Sequence, residues 1–189
     1  MTPTERQENL DRIAHAAVHI ERLHGIPAEL AAGQCILESG WLSRCPGNNC
    51  FGLKAPAGAT HYQTVDTWEL LTDDQLARVE KTGRTIIGVG SVYVGNKRNV
   101  RIADRFQVFA TLEECFEEYA DLLLNGRYFK ARFARYQEHR NLIRLLDEMS
   151  GSDGQPPYFT GAGYVDSWTR IVNQQNVKDA ISRARGTTV

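Results

Sequence analysis

The sequence lacks long apolar runs, a strong net charge and a high cysteine content. No stretch approaches the roughly 20 apolar residues that a membrane-spanning helix needs. The first residues, MTPTERQENLDRIAHAAV, lack the basic start and apolar centre of a secretory signal. The formal net charge is −1, so no strong field favours nucleic acid or an anionic membrane. We therefore expect no membrane span and no nucleic-acid partner.

Cysteine chemistry is also limited, because 4 cysteines in 189 residues do not make a disulfide-dense scaffold. Cys45 and Cys50 are close enough in sequence to bridge, and the sequence leaves open whether they do. Cys35 and Cys115 lie on predicted helices and are expected to act as small core residues. Cys45, Cys50 and the distant His61 are poorly spaced for zinc, so the prediction is no metal and no cofactor.

Length and composition fit one domain over residues 1–189, or one domain with a small lobe, with 42% hydrophobic and 24% charged residues. Apolar periodicity predicts helices over about 5–24, 28–38, 111–124, 127–136, 139–149 and 163–184. Short strands are predicted at 61–65, 85–94 and 100–108, with a capped helix of about two turns starting at Thr72. The pattern predicts an α+β fold, mainly helical, with a small β-lobe at about 60–109.

The stretch with the clearest chemical content is the end of the second helix. This helix is apolar on nearly every side until it reaches Glu38, and such a helix is normally buried. A carboxyl partly withdrawn from water has a raised pKa, as a general acid near neutral pH requires. Glu38 is therefore the first catalytic candidate.

The residues around Glu38 carry a resemblance to a known family. Glu38-Ser39-Gly40-Trp41, followed by NNCFGLKA from Asn48 to Ala55, is similar to the signature of the glucosaminidases of glycoside hydrolase family seventy-three. The resemblance implies a lysozyme-like fold with the β-lobe flanking a cleft. It also implies an endo-β-N-acetylglucosaminidase that cuts the β-1,4 bond between N-acetylglucosamine and N-acetylmuramic acid in peptidoglycan glycan strands.

Three later segments extend the resemblance, one of which, Arg105-Phe106-Gln107-Val108-Phe109, is similar to the family's phenylalanine-containing strand. Thr67-Trp68-Glu69 resembles the Thr-x-Glu that carries the family's second carboxylate, which implies a catalytic role for Glu69. The long segment 70–99 leaves Asp66, Glu80 and Asp104 as alternatives. The run from Tyr158 to Tyr164 is similar to the family's tyrosine motif, although Gly161 and Ala162 replace its Asp-Pro.

The resemblance implies roles for these residues. Glu69 would act as the base in an inverting reaction if the two carboxyls lie about 6.5–9.5 Å apart. Alternatively the substrate's 2-acetamido oxygen attacks, Glu69 only orients it, and Tyr158 stabilises the charged intermediate. Four further residues are expected to bind substrate, with Trp41 and Tyr164 each also compatible with a core position: Trp41, Asn49, Phe51 and Tyr164.

Two other functions stay open at this stage. A lysozyme or lytic transglycosylase would cut after N-acetylmuramic acid with Glu38 alone, and a catalytically silent module would only bind the wall. In every case the chain would act in the periplasm or the extracellular wall. Delivery would be by a holin, a secretion machine or a leader outside this sequence. Immunity or delivery partners and the oligomeric state are not predicted.

Overall fold

The computed structural model describes residues 1–56, 58–81, 84–159 and 163–187. The chain divides into two compact units. A helical unit comprises Met1–Phe51 and Phe109–Val189, and a β unit comprises Gly52–Val108. The β-lobe expected at about 60–109 therefore corresponds to a unit that begins earlier in the chain.

The helical unit contains most of the helices that the periodicity predicts. Their bounds are α1 Pro3–His24, α2 Ala28–Ser39, α4 Leu112–Asn125, α5 Lys130–His139, α6 Leu142–Asp147, α7 Tyr164–Val172 and α8 Gln175–Gly186. Helix α1 begins with a capping box in which Thr2 and Glu5 satisfy each other's backbone N–H groups, and it ends at Gly25 in the left-handed region. Helix α4 begins at Thr111, whose hydroxyl accepts the N–H of Glu114.

The core of the helical unit is built around α1. This helix packs against α2, α4 and α8, while α2 also packs against α7. Its buried face includes Leu10, Ile13, Ala17 and Ile20. Because nearly every residue of α2 from Ala28 to Ile36 is buried, this helix is fixed in place on several sides.

The β unit is a three-stranded antiparallel sheet with one helix. Its elements are β1 Gln63–Leu71, α3 Asp73–Lys81, β2 Thr85–Val94 and β3 Lys97–Phe106, and the strand order is β1-β3-β2. Its hydrophobic core brings together Leu71, Val79, Val100 and Ile102. Thr72 and Gln75 form the side-chain-to-backbone bonds that start α3, as the capping pattern predicts.

Three expected boundaries are wrong. Strand β1 runs to Leu71 rather than Val65, because it pairs with β3 along its whole length. Strand β3 is shifted to 97–106 for the same reason. The last helix, expected to be continuous, is broken near Asn173. There the Asn173 side chain donates to the Thr169 carbonyl, and Gln174 adopts an extended conformation.

Within the described residues, no helix is both long enough and apolar enough to cross a membrane.

Candidate active site

Glu38 lies one residue before the end of α2, followed by an unusual turn. Gly40 caps the helix in the left-handed region, and Trp41 and Leu42 have positive φ angles of 64° and 62°. Ser39 helps to hold this turn, since its hydroxyl donates to the Cys35 carbonyl at 2.6 Å and accepts the Leu42 N–H at 2.9 Å. Consecutive non-glycine residues in this region are uncommon and persist only where the surroundings impose them.

The carboxyl of Glu38 accepts a hydrogen bond and is partly withdrawn from water. The residue as a whole is exposed, and the Tyr164 hydroxyl donates to its Oε1 at 3.2 Å. Burial by the surrounding protein raises the pKa of this carboxyl, and the Tyr164 bond opposes that effect only in part. The net pKa lies above the ordinary value, in the direction that a proton donor needs.

An aromatic cluster lies beside Glu38 in the helical unit. Tyr164 stacks on Phe159 with ring centroids 3.7 Å apart, and Phe51 stacks on Tyr119 at 4.1 Å. Tyr158 meets Tyr119 edge to face at 6.2 Å. Such pairs are stabilising beyond the area they bury, so the cluster forms a firm wall for the site.

Tyr158 is distinctive because its hydroxyl is buried and has no hydrogen-bond partner among the described residues. Burial raises its pKa well above the ordinary value, and the nearby Tyr164 and Glu38 add to the effect. The hydroxyl therefore remains a neutral donor. A buried polar group without a partner costs free energy, and such groups in folded proteins often mark a functional position.

The segment that carries Tyr158 is anchored by a buried ion pair. Arg132 is 1% exposed and donates to both carboxylate oxygens of Asp153, at 2.8 and 2.5 Å. The hydrogen bond from Arg132 is the main cause of the low Asp153 pKa, about 2. The Tyr158 N–H also donates to the Met149 carbonyl at 2.8 Å. These bonds fix the backbone on which Tyr158 is placed.

The remaining expected substrate-binding residues differ in exposure. Trp41 is half-buried, and the Arg6 guanidinium lies 3.9 Å from its ring centroid. Asn49 is 6% exposed, and Phe51 is 6% exposed against Tyr119. Phe51 therefore supports the tyrosine cluster from within the core. Part of the expected tyrosine motif, including Gly161 and Ala162, lies outside the described residues.

In the β unit, Glu69 lies in a group of charged side chains. The Arg84 guanidinium is 2.9 Å from its Oε1, and the Lys54 ammonium is 3.8 Å away. Both cations also bind Asp104. These groups line a cavity of about 650 Å³ whose wall includes Lys54, Tyr62, Glu69, Arg84, Asp104 and Arg105.

The alternatives to Glu69 are placed differently. Asp104 is 6% exposed; burial raises its pKa, but the bonds from Lys54 and the charge of Arg84 outweigh this and the net pKa is low. Asp66 pairs with Arg101 at 2.5 Å on the exposed side of β1. The side chain of Glu80 lies outside the described part of the chain. Glu69 and Asp104 are thus the two carboxylates that share the cavity.

The polar contacts that support the tyrosines were not predicted from the sequence. Gln34, one turn before Glu38 on α2, is buried, accepts a hydrogen bond from the Tyr119 hydroxyl and interacts with Tyr164. A buried glutamine on a helix that is otherwise apolar was the available signal. Arg84, the partner of Glu69, falls in the segment with no counterpart in the expected motif, so nothing in the sequence indicated it.

Among the described residues, no group of three or more histidine, cysteine or acidic side chains is arranged to hold a metal ion. The Glu38 carboxyl accepts a hydrogen bond from the Tyr164 hydroxyl, and a carboxyl and a phenol can both donate protons and hydrogen bonds.

Solved structures share this architecture. A peptidoglycan hydrolase mutant from Sphingomonas sp. A1 is 24% identical with a TM-score of 0.59, covering 94% of this chain and 99% of that chain. The catalytic domain of the autolysin Auto from Listeria monocytogenes is 19% identical with a TM-score of 0.64, covering 95% and 89%. The glycoside hydrolase domain of FlgJ from Salmonella typhimurium is 18% identical with a TM-score of 0.56, covering 98% and 92%.

The mainly helical fold with a small antiparallel sheet is lysozyme-like, and the chain is a glycoside hydrolase. It belongs to the glucosaminidase family, described as mannosyl-glycoprotein endo-beta-N-acetylglucosaminidase, whose profile matches residues 14–177. No curated protein matches the chain. The expected family and fold class are confirmed.

Proposed function

We propose that this protein is a peptidoglycan hydrolase, an endo-β-N-acetylglucosaminidase that cuts the β-1,4 bond between N-acetylglucosamine and N-acetylmuramic acid. Family membership supports the bond type. The similar solved structures described as peptidoglycan hydrolases support the substrate. The observation in this chain that carries the proposal is the Glu38 carboxyl, whose pKa burial raises at the end of a rigid helix.

Glu38 is proposed as the general acid. Glycosidic cleavage requires a proton on the leaving oxygen while positive charge develops at the anomeric carbon. A carboxyl that keeps its proton towards neutral pH supplies it without a cofactor. Tyr164 holds the Oε1 atom by its hydrogen bond and thereby limits the orientations of the acid.

The tyrosines and their neighbours are proposed as the substrate contacts. The Tyr158 hydroxyl has no partner among the described residues, so a sugar oxygen or the charged intermediate would satisfy it. Trp41 offers a half-buried ring for sugar stacking, and Asn49 offers an amide for the N-acetyl group. Phe51 contributes indirectly, by packing against Tyr119.

Glu69 is proposed as the second carboxylate. It lies beside Arg84 and Lys54, and two candidate mechanisms give it a role. In one, Glu69 activates water and the anomeric configuration inverts; in the other, the substrate's acetamido oxygen attacks and Glu69 orients it. Asp104 is the less suitable group, because its side chain is only 8% exposed whereas that of Glu69 is 29% exposed.

The proposed substrate fixes where the enzyme acts. Peptidoglycan strands lie outside the cytoplasmic membrane, so the chain would work in the periplasm or the extracellular wall. Bacteriolysis would follow from cutting enough strands.

Digestion of purified peptidoglycan, followed by mass spectrometry of the soluble fragments, tests the proposal. We expect fragments with reducing N-acetylglucosamine ends from the wild type, and their formation about 10²–10⁴-fold more slowly from Glu38→Gln. Glu69→Gln should give the same fragments at least about tenfold more slowly. Anhydromuramic ends would instead show a lytic transglycosylase. Binding to sacculi without fragments from the wild type would show a silent wall-binding module.

A further inference from the structure

The 4 cysteines of the chain come together in the helical unit, around Cys50. The Sγ atoms of Cys50 and Cys115 are 3.7 Å apart. The thiols of Cys35 and Cys45 also interact with the Cys50 thiol. All of them are free, so the disulfide between Cys45 and Cys50 that the sequence left open is not formed here.

The four thiols differ in access to solvent. Cys35, Cys50 and Cys115 are at most 1% exposed, whereas Cys45 is half-buried in the loop after Glu38. An external reagent therefore meets Cys45 first. Buried thiols are inert towards an external reagent, because it cannot reach them.

The pKa shifts of the thiols also favour Cys45 as the first to react. The hydrogen bond from the Cys50 thiol, aided by the charge of Arg12, lowers the pKa of Cys45 in spite of its partial burial. Burial and the neighbouring thiols raise the pKa of Cys50. Cys45 is thus the accessible thiol with the larger thiolate fraction. Cys50 is the buried neighbour with the smaller thiolate fraction.

We propose that Cys45, Cys50 and Cys115 form a thiol relay that converts an external disulfide into an internal Cys50–Cys115 disulfide. The Cys45 thiolate attacks the external disulfide, forms a mixed disulfide and releases one external thiolate. The Cys50 thiol then attacks the Cys45 sulfur, releases the second external thiol and passes its proton to it. The Cys115 thiol attacks the Cys50 sulfur, and its proton goes to the departing Cys45 thiolate. The external disulfide is reduced and two protein thiols are oxidised.

The end point at Cys115 follows from the geometry. A disulfide has an S–S distance of about 2.05 Å, so the Cys50 and Cys115 sulfurs need to move together by less than 2 Å. The loop from Cys45 to Cys50 contains Gly47 and Asn48 in left-handed conformations, which leave little freedom to adjust to a bond between its ends.

The bond would tie the loop after Glu38 to α4. Cys50 precedes Phe51, whose ring stacks on Tyr119 of the same helix. Oxidation would therefore fasten a contact that already exists. We expect a higher melting temperature, by roughly 5–10 °C, with the fold unchanged.

The test exposes the reduced full-length chain to oxidised glutathione in the presence of a chelator, then blocks free thiols and maps peptides without reduction. We expect the loss of two thiols and a crosslink between the peptides that carry Cys50 and Cys115. Cys45→Ser should form this crosslink at least about tenfold more slowly. Cys115→Ser should stop at the Cys45–Cys50 crosslink, and Cys35→Ser, a matched buried control, should behave as the wild type.

Three outcomes would overturn the relay. They are a glutathione adduct with no internal crosslink, a wild-type end point at Cys45–Cys50 or Cys35–Cys50, and an undiminished rate for Cys45→Ser. The wild-type map needs no substitution, so the proposal stays testable even if Cys115→Ser does not fold. Circular dichroism and the melting temperature of each variant identify any that do not.

Discussion

At the residue scale, the proton affinity of Glu38 is set by two opposing contacts with the protein. Burial disfavours the carboxylate, and the hydrogen bond from Tyr164 favours it. Burial is the larger effect, so the pKa is raised. The protonated acid therefore persists to higher pH than in an ordinary glutamate, and activity that requires it is lost as pH rises through the raised pKa.

Removing the Tyr164 hydroxyl tests this balance. In Tyr164→Phe the contact that lowers the Glu38 pKa is gone, so the pKa rises further and the alkaline limb of kcat/KM moves to higher pH. The direction of this shift is the prediction, since the pKa of Glu38 then reflects burial without the opposing hydrogen bond. The measurement is the pH profile of kcat/KM on solubilised glycan strands.

Tyr93→Phe is the matched control, since it removes a tyrosine-to-carboxylate hydrogen bond, to Asp73, in the β unit. Its alkaline limb should coincide with that of the wild type. A shift of the Tyr164→Phe limb to lower pH, or none, would mean that this bond does not set the proton affinity of the acid.

The sequence predicted some of these residues better than others. Glu38 and Trp41 could be found because they lie within one contiguous motif on a helix end. Gln34 and Tyr119, which share a hydrogen bond, are 85 positions apart. Arg84, the partner of Glu69, lies in a segment without a family counterpart. Such partners depend on tertiary packing, which local patterns do not contain.

At the element scale, the position of α2 depends on a close approach to α7. A Cβ atom on Gly33 would overlap Nε1 of Trp168. The Trp168 side chain is 3% exposed and donates to the Leu30 carbonyl at 3.4 Å. Glycine is unfavourable in a helix interior by about 1 kcal/mol relative to alanine. Its presence there is explained by packing, because only glycine lets the two helices meet.

Gly33→Ala should therefore destabilise the protein although alanine favours the helix. Overpacking costs about 1–3 kcal/mol and the helix propensity returns up to about 1, so we expect a net loss of about 1–2 kcal/mol in the free energy of unfolding. Urea denaturation measures it. Gly186→Ala, where a Cβ meets nothing within 4 Å, is the control and should change stability by less than about 0.5 kcal/mol. Greater stability of Gly33→Ala than of the wild type would refute the packing argument.

Elements with a strong local period were predicted well, and those defined by pairing were not. Helices α1 and α4 begin and end close to where their caps predict. The extent of β1 is set by its ladder with β3, which the alternation of its own residues does not reveal. The break between α7 and α8 likewise follows from two helices packing on different neighbours, α2 and α1.

At the scale of the whole molecule, the two units carry different parts of the proposed chemistry. The helical unit holds an acid of raised pKa beside neutral tyrosines. The β unit holds Glu69 beside two cations. Glycoside hydrolysis requires a proton donor and a second carboxylate, and Glu38 and Glu69 are the residues proposed for these two roles.

The general-acid role of Glu38 is tested most directly by the rates of Glu38→Gln on two substrates that differ in leaving group. On peptidoglycan, whose leaving oxygen needs a proton, we expect a loss of about 10²–10⁴-fold with an unchanged melting temperature. On a dinitrophenyl glycoside of an N-acetylglucosamine oligomer, whose leaving group needs none, the rate should stay within about tenfold of the wild type. An undiminished rate on peptidoglycan, or an equal loss on both substrates, would show that Glu38 is not the general acid.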